Sequence, residues 1–146
     1  MAAQAQDFGV NRLIFDSYAV LAMLLLEDGA TRVRELLYAP GPKWMSVINL
    51  GEVYYKAARR FGDDVAQGMI DQVRAWPVVI IDADQTLTFE SAKIKSAFAL
   101  SYADCFAAAL ARRMKARVVT GDPEFAKLEK AKVTQIEWLP PHRRRR

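Results

Sequence analysis

The chain has 146 residues, 52% of them apolar and 26% charged, with a formal net charge of +4; this suits one soluble domain of ordinary size with a packed core. No apolar run approaches the ~20 residues of a membrane span, and residues 1–12 lack the basic-then-apolar pattern of a secretory leader. Cys105, the one cysteine, excludes an internal disulfide and a thiolate metal cage, so a cytoplasmic protein without membrane association is expected.

Residues 12–16 (RLIFD) read as a short buried strand ending in an acid. Residues 17–28 read as a helix that is apolar almost all round, with Gly29 as its stop. Residues 31–38 form a second helix, ended by Ala39-Pro40-Gly41-Pro42, and residues 43–46 a second strand. Residues 47–61 form a long helix with Leu50, Val53, Tyr54 and Ala57 at helical spacing; Gly62 closes it and residues 63–75 make another. Residues 77–82 (PVVIID) are the clearest strand, apolar throughout as a parallel strand covered on both faces should be. Residues 84–98 are helical, and Ser101 is the expected N-cap of a helix over 102–114. Residues 117–120 form a strand and Gly121-Asp122-Pro123 a turn. A short helix over 124–129 leads to a last strand at 134–139. The alternation implies an α/β three-layer sandwich, a parallel sheet with helices on both faces. One domain over residues 12–139 is expected, with an extension at 1–11 and a basic tail at 140–146.

Ligands of such sheets bind at the carboxyl ends of the strands. Four acids fall there. Asp16 ends the first strand, Asp122 lies two residues past the fourth, Glu52 is in the second turn of the helix after the second strand, and Asp104 is in the first turn of the helix beginning near Tyr102. Each has a plainer role open to it: Asp16 as a helix cap, Glu52 as a partner of Lys56, Asp122 as turn chemistry. Asp104 is harder to assign to structure, because its neighbours on the helix are uncharged. Carboxylates brought this close raise one another's pKa and are tolerable with a cation among them. Hard oxygen donors suit Mg²⁺ or Mn²⁺, which activates water for attack on a phosphodiester. The sole histidine, His142, sits beside the arginine tail and argues against histidine-based catalysis.

In order along the chain stand LIFDS, SVINLGEV, SYADCFAAALA and VVTGDPEF. Together, over residues 13–139, they resemble PIN-domain nucleases, and among these the VapC-type toxins of prokaryotic toxin–antitoxin pairs. The resemblance places the family's four acids on Asp16, Glu52, Asp104 and Asp122. The accompanying hydroxyls fall on Ser17 and Thr120, where they would orient a carboxylate or hold a metal-bound water. It implies a five-stranded parallel sheet, Mg²⁺ or Mn²⁺, hydrolysis of RNA, a homodimer, and a small cognate antitoxin. The apolar first helix then either buries itself in the monomer or lends part of its face to a dimer or antitoxin contact. Lys43, Arg59, Arg60, Arg112 and Arg113 either flank an RNA path or lie on solvated faces.

One motif competes. VVIIDADQT, around Asp82 and Asp84, resembles the nucleophile motif of haloacid-dehalogenase-like phosphatases. That motif normally opens its domain, and here too little chain follows it. Its plain reading is strand, turn, and Asp84 as helix N-cap. A receiver-like domain would need an adjacent pair of acids after the first strand, which Asp16-Ser17 does not supply. A catalytically silent PIN fold that only binds RNA or a partner is the remaining alternative.

Overall fold

A computed structural model describes residues 11–140; the arginine tail and all but the last residue of the expected N-terminal extension lie outside them. In chain order the elements are β1 (Leu13–Phe15), α1 (Ser17–Leu24), α2 (Ala30–Tyr38), β2 (Lys43–Ser46), α3 (Val47–Phe61), α4 (Asp63–Arg74), β3 (Val79–Ile81), α5 (Gln85–Ala97), α6 (Tyr102–Met114), β4 (Arg117–Thr120), a 3₁₀ turn (Pro123–Phe125), α7 (Ala126–Lys130) and β5 (Gln135–Trp138). All five strands are parallel, in the order β3-β2-β1-β4-β5.

Strand alternation builds the two cores. Leu13 and Phe15 point to one face and pack with Val20, Val33, Leu50 and Val73 from α1–α4. Ile14 points to the other face and packs with Leu87, Phe106, Leu110 and Leu128 from α5–α7. In β4, Val119 joins the first cluster and Val118 the second. The period of two thus turns three residues of β1, each at most 1% exposed, into the centre of a three-layer sandwich.

Two expectations change. The 77–82 strand is not covered on both faces. It contracts to β3, an edge strand with only β2 beside it, and Val79 is 57% exposed. The first helix stops at Leu24 rather than running on to Gly29. Leu26 takes a left-handed φ of 53°, and the Glu27 amide donates to the Ala22 carbonyl at 2.9 Å, which is the Schellman closure. Lys115 after α6 (φ 52°) and Lys132 after α7 (φ 59°) close their helices the same way. Glycine is the usual residue in that conformation, so nothing in the side chain of Leu26 announces the end of α1.

The carboxyl edge of the sheet carries Asp16 directly after β1 and Asp122 just after β4. Asp84 sits on another part of the scaffold. It caps α5 by accepting the Leu87 amide at 2.7 Å and holds Arg113 at 3.0 and 3.2 Å.

Candidate active site

A single cavity of about 550 Å³ opens at the carboxyl edge of the sheet, and Asp16, Ser17, Glu52, Asp104 and Asp122 all line it. Asp82 and Asp84 do not, which removes the geometry the phosphatase reading needs.

Each acid is placed by local structure. Asp16 is the N-cap of α1, with Oδ1 accepting the Ala19 amide at 2.8 Å. It is 1% exposed. Thr120, fully buried at the end of β4, has its hydroxyl beside the Asp16 carboxylate, where it pulls that pKa down, and accepts the Asp122 amide at 3.0 Å. One hydroxyl therefore ties the acid after β1 to the acid after β4. Asp122 Oδ1 accepts the Glu124 amide at 3.0 Å and so caps the 3₁₀ turn. Glu52 is held by two hydroxyls: Ser17 donates to Oε1, and Tyr55 donates to Oε2 at 3.2 Å. Lys56 stands 4.0 Å from the same oxygen. The plainer roles foreseen for Asp16, Glu52 and Asp122 are thus real, and they coexist with a shared cavity.

Asp104 enters from α6. Ser101 caps that helix by accepting the Asp104 amide at 3.2 Å. The first turn of α6 is also tied to α3, where the fully buried Asn49 donates Nδ2 to the Ala103 carbonyl at 3.2 Å. Asn49 Oδ1 is buried without a hydrogen-bond partner among the described residues. Asn49 fixes the spacing between the helix of Glu52 and the helix of Asp104, and the sequence reading passed it over. Its signal was an amide on the apolar stripe of α3. Tyr18 was missed too. Its ring lies where a Gly121 side chain would be, with Cε1 2.4 Å from an ideal Cβ position, so only glycine fits between β4 and Asp122.

The electrostatics follow from burial and like charge. Burial, with smaller contributions from Asp104 and Asp122, pushes the Asp16 carboxyl up to about 8 against the pull of Thr120 and the Ala19 amide. Burial, then Asp122 and Glu52, pushes Asp104 up to about 6, while Ser101 and Lys56 pull it down. Among the described residues no three carboxylates close into a ready-made cation cage. Instead Asp16, Glu52 and Asp122 turn oxygens to protein donors. The donor set is all oxygen and mutually repelling, which fits a hard divalent ion in chemical type.

The expected basic residues separate. Lys43 is 4% exposed and donates to the carbonyls of Ala39 and Gly41, so it flanks nothing. Arg113 is held by Asp84. Arg112 lines a different cavity, with Arg117 and Gln135 at the amino ends of β4 and β5. Arg60 alone of the five lines the acidic cavity; Arg59 lies beside it on α3.

No single described helix is long and apolar enough to cross a membrane. No curated protein sequence matches the chain. Solved structures share the fold. VapBC2 from Rickettsia felis, bound to a promoter DNA fragment, matches at 19% identity and a TM-score of 0.68, covering 88% of this chain and 99% of that one. VapC20 of Mycobacterium tuberculosis, a sarcin-ricin-loop-cleaving toxin, matches at 17% and 0.68 over 79% and 93%. FitAcB from Neisseria gonorrhoeae matches at 17% and 0.62 over 86% and 96%. At these identities the likeness is one of fold. A PIN domain family model matches residues 13–131, a span that begins with β1, ends just past α7 and takes in all four acids: the chain belongs to the PIN-domain family.

Proposed function

We propose that the protein is a divalent-metal-dependent endoribonuclease and the toxin of a VapBC-like pair. The observation that carries this reading is the gathering of Asp16, Glu52, Asp104 and Asp122 around one cavity, two of them buried with raised pKa. Asp16, Asp104 and Asp122, with Glu52, would hold Mg²⁺ or Mn²⁺. The ion supplies activated water and stabilises charge on the phosphodiester. The chain's own part is positional. Thr120 keeps the Asp16 and Asp122 carboxylates in register, Ser17 and Tyr55 aim Glu52, and Ser101 and Asn49 set the start of α6. A single PIN domain over residues 12–139 performs this in the cytoplasm.

The solved VapC20 structure, described as that of a sarcin-ricin-loop-cleaving toxin, supports RNA as the substrate. A solved toxin–antitoxin complex from Klebsiella pneumoniae with the same fold supports a small cognate antitoxin as partner. The apolar α1 supports an interface, either in a homodimer or with that antitoxin: Leu21, Met23 and Leu24 are only partly buried, and Leu26 is 85% exposed. The test is cleavage of RNA by the purified protein in Mg²⁺ or Mn²⁺, repeated with chelator and with Asp104→Asn. Cleavage lost in both, with the fold intact, is the expected result. Cleavage that survives either would overturn the reading.

A further inference from the structure

The far half of α3 carries features that neither its packing nor the four acids require. Glu52, Lys56 and Arg60 follow one another at intervals of four residues, and all three line the acidic cavity. Residues at that spacing share a helix face and are about 6 Å apart along the axis. The stripe therefore starts at a candidate metal-binding acid and continues outward as two cations. Aromatic rings flank it. The Arg59 guanidinium lies over the Tyr55 ring at 4.9 Å, and the Arg60 guanidinium over the Phe61 ring at 4.9 Å. Tyr55 and Phe61 are nevertheless 42% and 41% exposed. Among the described residues no carboxylate is within salt-bridge range of Arg59 or Arg60.

Structural roles account for only part of this. Cations in the last turn favour the helix dipole, which covers Arg59 and Arg60 but not Lys56. The Glu52–Lys56 pair covers Lys56 but not the exposed rings. Cations and uncovered aromatics along a groove are what a single strand of nucleic acid recognises, phosphates on the cations and bases on the rings. The stripe also has an end: past Gly62 the exposed Asp63 and Asp64 reverse the charge.

We propose that the last two turns of α3 are a strand-binding track for single-stranded RNA. Lys56 and Arg60 each take one phosphate on one side of the cut bond, and the Tyr55–Arg59 stack takes a base. This rests on the nuclease reading and adds the direction and length of substrate contact to it.

The test uses unstructured oligoribonucleotides with one to four nucleotides on either side of the cut, and Lys56→Gln, Arg60→Gln and the double variant. Gln is a good helix former and both side chains are at the surface, so folding is preserved. On long substrates Arg60→Gln should raise KM about 5-fold at 0.1 M salt. The double variant should flatten the log–log salt dependence by about 1.4, at ~0.7 per phosphate on a single strand. On the shortest substrate, which does not reach Arg60, Arg60→Gln should match wild type; Lys56→Gln, which also loses the Glu52 pair, is read by the salt slope of binding alone. Equal losses from Arg60→Gln on short and long substrates, or an unchanged salt slope, would overturn the track. Binding of labelled RNA by fluorescence anisotropy in chelator reads the same slope without cleavage. If the protein cuts nothing, the nuclease reading fails, and the track still stands or falls on that slope. Loss of binding to a protein partner with RNA affinity unchanged also overturns it.

Discussion

Asp16→Asn should make the metal-free protein more stable while abolishing cleavage. The side chain is 1% exposed and burial holds its carboxyl at about 8, against an ordinary value of 3.8. A folded value above the unfolded one means that the folded state binds the extra proton. Its contribution is intact below about pH 4 and is lost progressively as the pH rises to about 8. At pH 7, keeping this group protonated against an ordinary value of 3.8 costs about 4 kcal/mol. An amide keeps the cap to the Ala19 amide, since Asn and Asp cap comparably, and carries no charge. About 1–2 kcal/mol is returned because the amide NH₂ enters a site built for an acceptor. The net gain is about 2 kcal/mol, or about 4–8 °C in Tm for a chain of this size. Urea unfolding in chelator, followed at pH 4 and pH 7 for both proteins, measures it. At pH 4, where almost none of the protonation cost is present, the variant should be less stable by about 1 kcal/mol, the amide's own penalty; at pH 7 it should be the more stable protein. A variant no more stable than wild type at pH 7, or a difference that does not grow between pH 4 and pH 7, would refute the electrostatic account of this cavity.

Three further outcomes follow from the same geometry. Thr120→Val leaves the Asp122 amide without its acceptor and takes the polar hydroxyl away from Asp16. It should cost about 1–3 kcal/mol and 10–100-fold in cleavage, read by urea melts and single-turnover rates. Gly121→Ala should cost about 1–3 kcal/mol by overpacking against the Tyr18 ring, and Tyr18→Leu in the same chain should restore most of that in thermal melts; an unpenalised single variant contradicts the close approach. Leu26→Gly relieves a left-handed leucine, a conformation costing about 1–2 kcal/mol, against roughly 0.5–1 kcal/mol of added unfolded-chain entropy. With the α1 face reserved for the antitoxin, Tm of the protein alone should rise by a degree or more; a fall would place Leu26 in a homodimer contact instead.

Much of the fold was legible because its signals are local and chemical. β2, β4, α3 and α6 have the expected bounds, marked by short apolar runs, by Ser101 as a cap and by Gly62 as a stop. Asp84 was legible as a cap for the same reason. The end of α1 was not, because its C-terminal closure is made by Leu26, where backbone geometry overrides side-chain preference. β3 looked central because its residues are apolar, yet apolarity does not say how many neighbours a strand has. The positions of Asp16 and Asp122 in the cavity were readable from their places after β1 and β4. Asn49 and Tyr18 were not, since their roles depend on contacts with Ala103 and Gly121 that are distant in sequence. The basic residues were indistinguishable by composition, and only tertiary position sorts the buried Lys43 from Arg60 at the cavity.

The most direct test of the central claim, that four acids act as one metal-dependent centre, is a set of single-turnover RNA cleavage rates in Mn²⁺. It compares wild type, Asp16→Asn, Glu52→Gln, Asp104→Asn, Asp122→Asn and the Asp16→Asn/Asp104→Asn pair. Each single change should lower the rate by at least about 100-fold, and the pair should lose little more than either alone, as residues acting as a unit do. Rates near wild type in any two of the single variants, or losses in the pair that multiply, would contradict it.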